Sequence, residues 1–200
     1  MAKMDQPTIE ERRFGDVRVC VIDGMFDAGM VAILHESFRR LPFKCDEYDT
    51  EETRHLPHWK FEFDLAAIDA NPLLRNFRTM ICAQVECLYP DRRLSLQRIH
   101  CNNHAYGDQQ NAHQDIARGV TALYIANAAW QDDWWGETLF YDERGEPVLA
   151  VAPKPGRVIL FAGEIVHRGG VPSRLCFEQR LSVAFKFAAE AVTGQGQSGE

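Results

Sequence analysis

The sequence is poor in lysine, with five against seventeen arginines, and it has no basic run longer than the pairs Arg12-Arg13, Arg39-Arg40 and Arg92-Arg93. Its 29 acidic residues outweigh 22 basic ones for a net charge of −7. That balance excludes a protein drawing its affinity from phosphate backbones, so nucleic acid is not expected as a main partner. No C-x-x-C pair occurs among the six cysteines at 20, 45, 82, 87, 101 and 176. Several lie among apolar residues, and the set reads as free thiols in a reducing compartment. No stretch approaches the roughly 18 apolar residues of a membrane span, and residues 1–16 lack the apolar core of a signal peptide; a cytoplasmic location is expected. There is no internal repeat. What is present, 46% hydrophobic, 26% charged and 10% aromatic residues, excludes collagen, coiled coil and disorder. Two hundred residues suit one domain able to hold a core without staples.

Along the chain, residues 17–23 read as a strand, and Asp27 caps a helix whose apolar positions Met30, Ile33, Leu34, Phe38 and Leu41 repeat until Pro42. A second helix opens with Asn71 as N-cap and Pro72 at its first position, continues through Leu73, Phe77, Met80, Ile81, Val85 and Leu88, and stops at Pro90. Between them, 44–58 is a polar stretch that suits a lid or a plain loop, and 59–63 has a strand pattern. From residue 93 the period becomes two, with strand-like runs at 93–106, 119–127, 137–141, 148–152, 157–161, 165–168 and 179–187. Two helices followed by many short strands predict a mainly β domain, a barrel or jelly roll backed by helices. The domain is expected over 1–192, with helical support at about 17–90, the barrel at about 93–188 and a disordered tail at 193–200.

The sharpest local feature is Asn111-Ala112-His113-Gln114-Asp115. Residues two apart on a strand share a face, so an imidazole and a carboxylate there suit one ion, although a lone pair of this kind is more often a surface hydrogen bond. His167, after the strand-like run 157–161, supplies a third ligand. Two histidines and one carboxylate make the facial triad of non-haem Fe(II) sites, which leaves positions open on the metal. A structural zinc site would close its shell. Thirteen residues later, Arg180 and Ser182 share a face of an alternating strand. Turned inward, Arg180 would need a carboxylate for its guanidinium, and its neighbours on that face supply none; turned outward, it would form a surface ion pair.

Taken together, Tyr106-Gly107, His113-x-Asp115, the strand 119–127, Trp130, Gly136-Glu137-Thr138-Leu139-Phe140, the run 153–161, His167 and Arg180-x-Ser182 resemble, in that order, the Fe(II)- and 2-oxoglutarate-dependent oxygenases, nearest their prolyl 4-hydroxylase-like branch. The resemblance covers the C-terminal half, with the N-terminal strand and helices fitting as support. It implies a double-stranded β-helix, a cupin-like jelly-roll barrel, with Fe(II) held by His113, Asp115 and His167. It implies further that Arg180 pairs with the distal carboxylate of 2-oxoglutarate, with Tyr106 and Ser182 as additional cosubstrate contacts. The cosubstrates implied are 2-oxoglutarate and O2, with ascorbate as an accessory reductant, and the products are succinate, CO2 and a hydroxylated carbon. Related halogenases replace the carboxylate by a small residue, so Asp115 favours a hydroxylase. Two departures bear on the pocket: Trp135 precedes Gly136 where relatives often carry a second glycine, and Ile125 stands where some carry tyrosine.

Substrate contacts are expected from Asn102, His104, Leu123, Trp135 and Arg168. His100 and His104 share a strand face with Asn102 and Tyr106, while Trp130, Trp134 and Trp135 suit either an entrance rim or aromatic packing. His55-Leu-Pro-His58 has ligand spacing, yet its place in a polar stretch predicts solvated histidines. The expected substrate is a small molecule, an amino acid or natural-product intermediate, because a chain of this length carries little beyond the barrel. The alternatives are a prolyl or other protein side-chain hydroxylase, a cupin-like enzyme using His104, His113 and His167 without 2-oxoglutarate, and a non-catalytic jelly-roll binding module. A homodimer is the base-rate expectation for oligomeric state.

Overall fold

A computed structural model describes residues 6–190 of the chain; the tail expected at 193–200 lies outside the described residues. The chain opens with a hairpin, β1 (Thr8–Phe14) and β2 (Val17–Asp23), paired in register from Thr8↔Asp23 to Phe14↔Val17. Strand β1 had no signal in the hydrophobic pattern. Its Glu and Arg side chains are largely exposed, and main-chain pairing with β2 makes it a strand, as suits a charged sheet edge.

Helix α1 (Ala28–Phe38) starts where the Asp27 carboxylate accepts the Met30 amide at 2.7 Å. It ends three residues before the expected Leu41, because the residue preceding a proline is disfavoured in helical conformation and Leu41 precedes Pro42. The polar stretch 44–58 contains β3 (Lys44–Glu47), which pairs as an arm with β4 (His58–Glu62), the strand expected at 59–63. A short α2 (Leu65–Ala70), capped by Asp64, leads into α3 (Pro72–Leu88), whose Asn71 cap and Pro72 start are those expected. Then come β5 (Leu94–His104), β6 (Val120–Ile125), β7 (Thr138–Tyr141), β8 (Pro147–Val151), β9 (Val158–Ala162), β10 (His167–Gly169) and β11 (Arg180–Ala189).

Eight strands form one antiparallel sheet in the order β1-β2-β9-β6-β11-β5-β4-β3, and three form a second, β10-β7-β8. The two sheets make a jelly roll. Strand alternation divides the interior into two layers. Leu181, Val183, Phe185 and Phe187 of β11, with Ala122 and Tyr124 of β6, face outward onto Leu34, Phe38, Phe77, Ile81 and Val85 of the helices. Phe77 lies edge-on to Tyr124 and Phe185 at 4.8 and 5.4 Å between centroids. Burying each such side chain stabilises the fold by about 1.5–3 kcal/mol, so the helices hold the large sheet as a rigid floor. The opposite faces of the same strands, with Leu123 and Ala184 beside Phe140 and Phe161, turn toward the smaller sheet. Among the described residues no helix is long and apolar enough to cross a membrane.

Candidate metal centre

His113 is not on a regular strand, as its H-x-D spacing suggested, but in a bridging segment. It exchanges both main-chain hydrogen bonds with His167 at 2.9 Å each, and Asp115 N donates to Gly163 O at 2.8 Å. This pairing sets the two histidines opposite one another and the aspartate between them. Each Nδ1 lies against the backbone carbonyl two residues earlier, His113 at 3.0 Å from Asn111 O and His167 at 2.9 Å from Ile165 O. Donation from Nδ1 leaves the Nε2 lone pair for a ligand. Both Nε2 atoms lie 3.5 Å from Asp115 oxygens, and the potential ligand atoms of all three residues fall within 4.8 Å of one another.

The surroundings favour a cation. Burial opposes the charge on Asp115, yet His113, His167 and Lys186 hold its carboxyl well below the ordinary range. Thr121 Oγ1 donates to Asp115 Oδ2 at 2.5 Å, and the Lys186 ammonium makes a salt bridge to the same oxygen. Burial brings the His167 pKa down to about 4, which suits a neutral ligand. For His113 burial acts in the same direction but is outweighed by Asp115, the Asn111 carbonyl and Asp49, so its pKa is raised. Two imidazole nitrogens and one carboxylate on one side of a cavity are a donor set that fits a divalent transition metal with open positions.

Arg180 sits on the inner face of β11 with 1% of its surface exposed. It donates to Gly136 O at 2.7 Å, Thr138 Oγ1 at 3.0 Å and Ser182 Oγ at 3.2 Å, with no carboxylate partner among the described residues. Burial drives its pKa down to about 10. Neutral acceptors take three of the guanidinium's five hydrogens and do not balance its charge, so the site fits a ligand carboxylate. Gly136, at φ +85°, is needed there: a Cβ would press on Trp130 and Arg180.

Triad and Arg180 open onto one cavity of about 250 Å³, whose wall includes Asn102, Leu123 and Ser182. The other expected contacts are distributed differently. His104 is fully buried with its ring tilted 37° against that of His58 at 5.2 Å between centroids, and neither of its ring nitrogens has a partner among the described residues; it pairs across the sheet with Arg180 and stands outside the metal-binding group. Tyr106 is 65% exposed, because β5 ends at His104 and the Asp108 carboxylate accepts the Ala105 amide at 2.6 Å, turning the chain outward. Trp135 and Arg168 line a second cavity that shares Gln110 and Gly169 with the first. His58 departs from its expected solvated state: it is 3% exposed and forms cavity wall.

Glu47, Asp49, Arg98 and Lys186 also line the cavity and were not read from the sequence, whereas His100, expected on the strand face of Asn102, lines it as well. Asp49 carries a buried carboxylate 3.3 Å from His113 Nδ1 and accepts the Asn111 amide at 2.6 Å. The 44–58 stretch is therefore part of the site. Lys186 had a readable signal, since it follows Arg180, Ser182 and Ala184 at period two.

The sequence matches no protein-family model and no curated protein. Solved structures do match. A prolyl 4-hydroxylase from Phytophthora capsici is similar over 87% of this chain and 59% of its own, at 25% identity and a TM-score of 0.65; the chain thus spans about three fifths of that protein. A Trichoplax adhaerens prolyl hydroxylase, in complex with a hypoxia inducible factor peptide fragment, is 13% identical over 85% of this chain and 83% of its own, with a TM-score of 0.65. The epimerase SnoN, in complex with Fe3+, alpha ketoglutarate and nogalamycin RO, is 16% identical over 85% and 78%, with a TM-score of 0.59. With its His-Asp-His group and buried arginine in place, the chain has the fold of the 2-oxoglutarate- and Fe(II)-dependent oxygenases, in the form shared with the prolyl 4-hydroxylases.

Proposed function

We propose that this protein is an Fe(II)- and 2-oxoglutarate-dependent dioxygenase that hydroxylates an unactivated C–H bond of a small molecule. The observation that carries the reading is one cavity holding both His113, Asp115 and His167, with Nε2 atoms converging, and a buried Arg180 without a carboxylate partner among the described residues. When bound, Fe(II) with 2-oxoglutarate and O2 supplies an oxidant that can attack such a bond, leaving succinate and CO2. The chain's own part is positional. The triad holds the metal from one side, Arg180 takes the distal carboxylate of 2-oxoglutarate, and Leu123 and Phe161, the latter backed by Phe140, are apolar wall that helps to exclude water.

A cavity of 250 Å³ is at the small end for ligand sites, which favours a small substrate. Hydroxylation of a protein side chain is the second reading, supported by the likeness to two prolyl hydroxylases. Anaerobic addition of Fe(II) and 2-oxoglutarate should give a visible charge-transfer band, and air should then release succinate slowly without substrate. His113→Ala, Asp115→Ala and His167→Ala proteins should lack the band. Normal iron binding by all three would remove the triad and leave a non-catalytic module. Succinate release stimulated by small molecules or by prolyl peptides then separates the two substrate classes.

A further inference from the structure

Lys186 is one of three cationic side chains that line the cavity, with Arg180 and Arg98. It lies six residues from Arg180 on the same face of β11, about 20 Å along the strand. Its ammonium is bound to Asp115, and its side chain is only 11% exposed. Asp115 is also the carboxylate of the metal-binding group. A divalent ion there would satisfy the aspartate and set a second positive charge close to the ammonium. Lys186 would then need another anion, and 2-oxoglutarate has its distal carboxylate committed to Arg180.

The neighbours of Lys186 define what that anion can be. His100 lies beside it in the cavity wall, is 4% exposed, and has a buried Nδ1 with no partner among the described residues. Arg98, opposite Lys186 in the β5–β11 register, is not free: Glu47 accepts from it bidentately at 2.9 Å and Glu62 accepts once more. Lys60 also pairs with Glu47, at 2.7 Å. The surplus near the metal is one ammonium and one imidazole, while Glu47 and Asp49 disfavour a second negative charge. A phosphate dianion would call for an arginine fork or a row of free amides. A single carboxylate matches.

We infer that Lys186 and His100 form the substrate's anchoring subsite and that the substrate is a small monocarboxylate. The inference rests on the oxygenase reading. Its test is calorimetric titration of protein loaded with Mn(II) and 2-oxoglutarate, using short aliphatic and aromatic acids and free L-amino acids, each beside its carboxamide. At least one acid should bind tenfold or more tightly than its amide. Lys186→Gln should abolish that preference while changing 2-oxoglutarate affinity less than twofold, and Lys186→Met, which adds no polar group, should do the same. Circular dichroism checks that each variant is folded. Failure of the wild-type protein to take up 2-oxoglutarate would overturn the oxygenase reading and this subsite with it. Uptake without an acid–amide difference anywhere in the panel would overturn the subsite alone. So would persistence of the preference in folded Lys186→Gln or Lys186→Met protein. Weakened 2-oxoglutarate binding in those variants would assign the ammonium to the cosubstrate and overturn the subsite as well.

Discussion

Arg180 and Arg157 are both buried guanidinium groups on neighbouring parts of one barrel, at 1% and 3% exposure, and they are satisfied in opposite ways. Arg157 forms a fork with Asp23, at 2.8 and 2.6 Å, and donates a third hydrogen bond to Ala152 O at 2.9 Å. Arg180 meets only a carbonyl and two hydroxyls. The fold thus supplies a carboxylate where a buried cation ties loops to strands, and withholds one where the cation faces the cavity. Charge balance distinguishes a structural arginine from a binding one more sharply than burial or hydrogen-bond count does. Lys186 stands between them, paired with a carboxylate that belongs to another group.

The largest effect should come from Arg180→Met. Removing one member of a buried charge pair costs about 3 kcal/mol, so 2-oxoglutarate affinity should fall about a hundredfold in a titration of the metal-loaded protein. Metal affinity should hold, and unfolding in urea should shift little or toward greater stability, because an uncompensated buried charge has been replaced by an apolar chain. A large loss of stability with unchanged 2-oxoglutarate binding would make Arg180 a structural residue like Arg157.

The contrast explains what could be read from sequence. Helix α3, with Asn71, Pro72 and apolar residues at helical spacing, was legible because local chemistry decides it. The strands of the barrel were legible from period-two alternation, while the triad and Arg180 were legible from the ordered set of motifs, since alternation alone leaves open which way Arg180 turns and His113 is not on a regular strand. Strand β1 was not, because its residues carry no hydrophobic alternation and are held by main-chain pairing and surface contacts such as the Arg18–Glu11 ion pair across the hairpin. His58 and Asp49 were not, because their polar stretch looks like any solvated loop until the β3–β4 arm folds over the cavity. Tyr106 was placed by the resemblance and by a strand run drawn to residue 106, two residues past the end of β5, where the Asp108 carboxylate turns the chain outward.

Arg157→Met should give the next largest effect, on stability rather than ligand binding. Asp23 is 38% exposed, so solvent screening holds the loss to on the order of 2 kcal/mol, checked by urea melts at pH 7. The hydrogen bond to Arg157 lowers the Asp23 pKa against the opposing effect of burial. A depressed carboxylate pKa contributes stability that is present above the unfolded value, near 4, and lost as pH falls through the folded one. The gap between wild type and variant should therefore be full at pH 7 and narrow below about pH 4. A gap independent of pH would mean that packing of the guanidinium stem, not the ion pair, holds the Asp23 corner.

The smallest effect is expected at Asp49, which acts on the metal only through His113. Its Oδ1 is 3.3 Å from His113 Nδ1, and its Oδ2 accepts both the Asn111 amide and, at 3.3 Å, the Asn111 side-chain amide. The carboxylate thereby fixes the segment whose carbonyl orients the imidazole. Asp49→Asn keeps the shape but sets an NH2 among donors, so His113 should lose orientation and charge support together. Metal affinity should fall about tenfold in a competition titration, as for other partners of ligating histidines. At saturating metal, 2-oxoglutarate affinity should match wild type, because Arg180 lies at the far end of β11. Unchanged metal affinity would leave the β3–β4 arm as cavity wall alone; weakened 2-oxoglutarate binding at saturating metal would show that the two ends of the cavity are coupled through the triad.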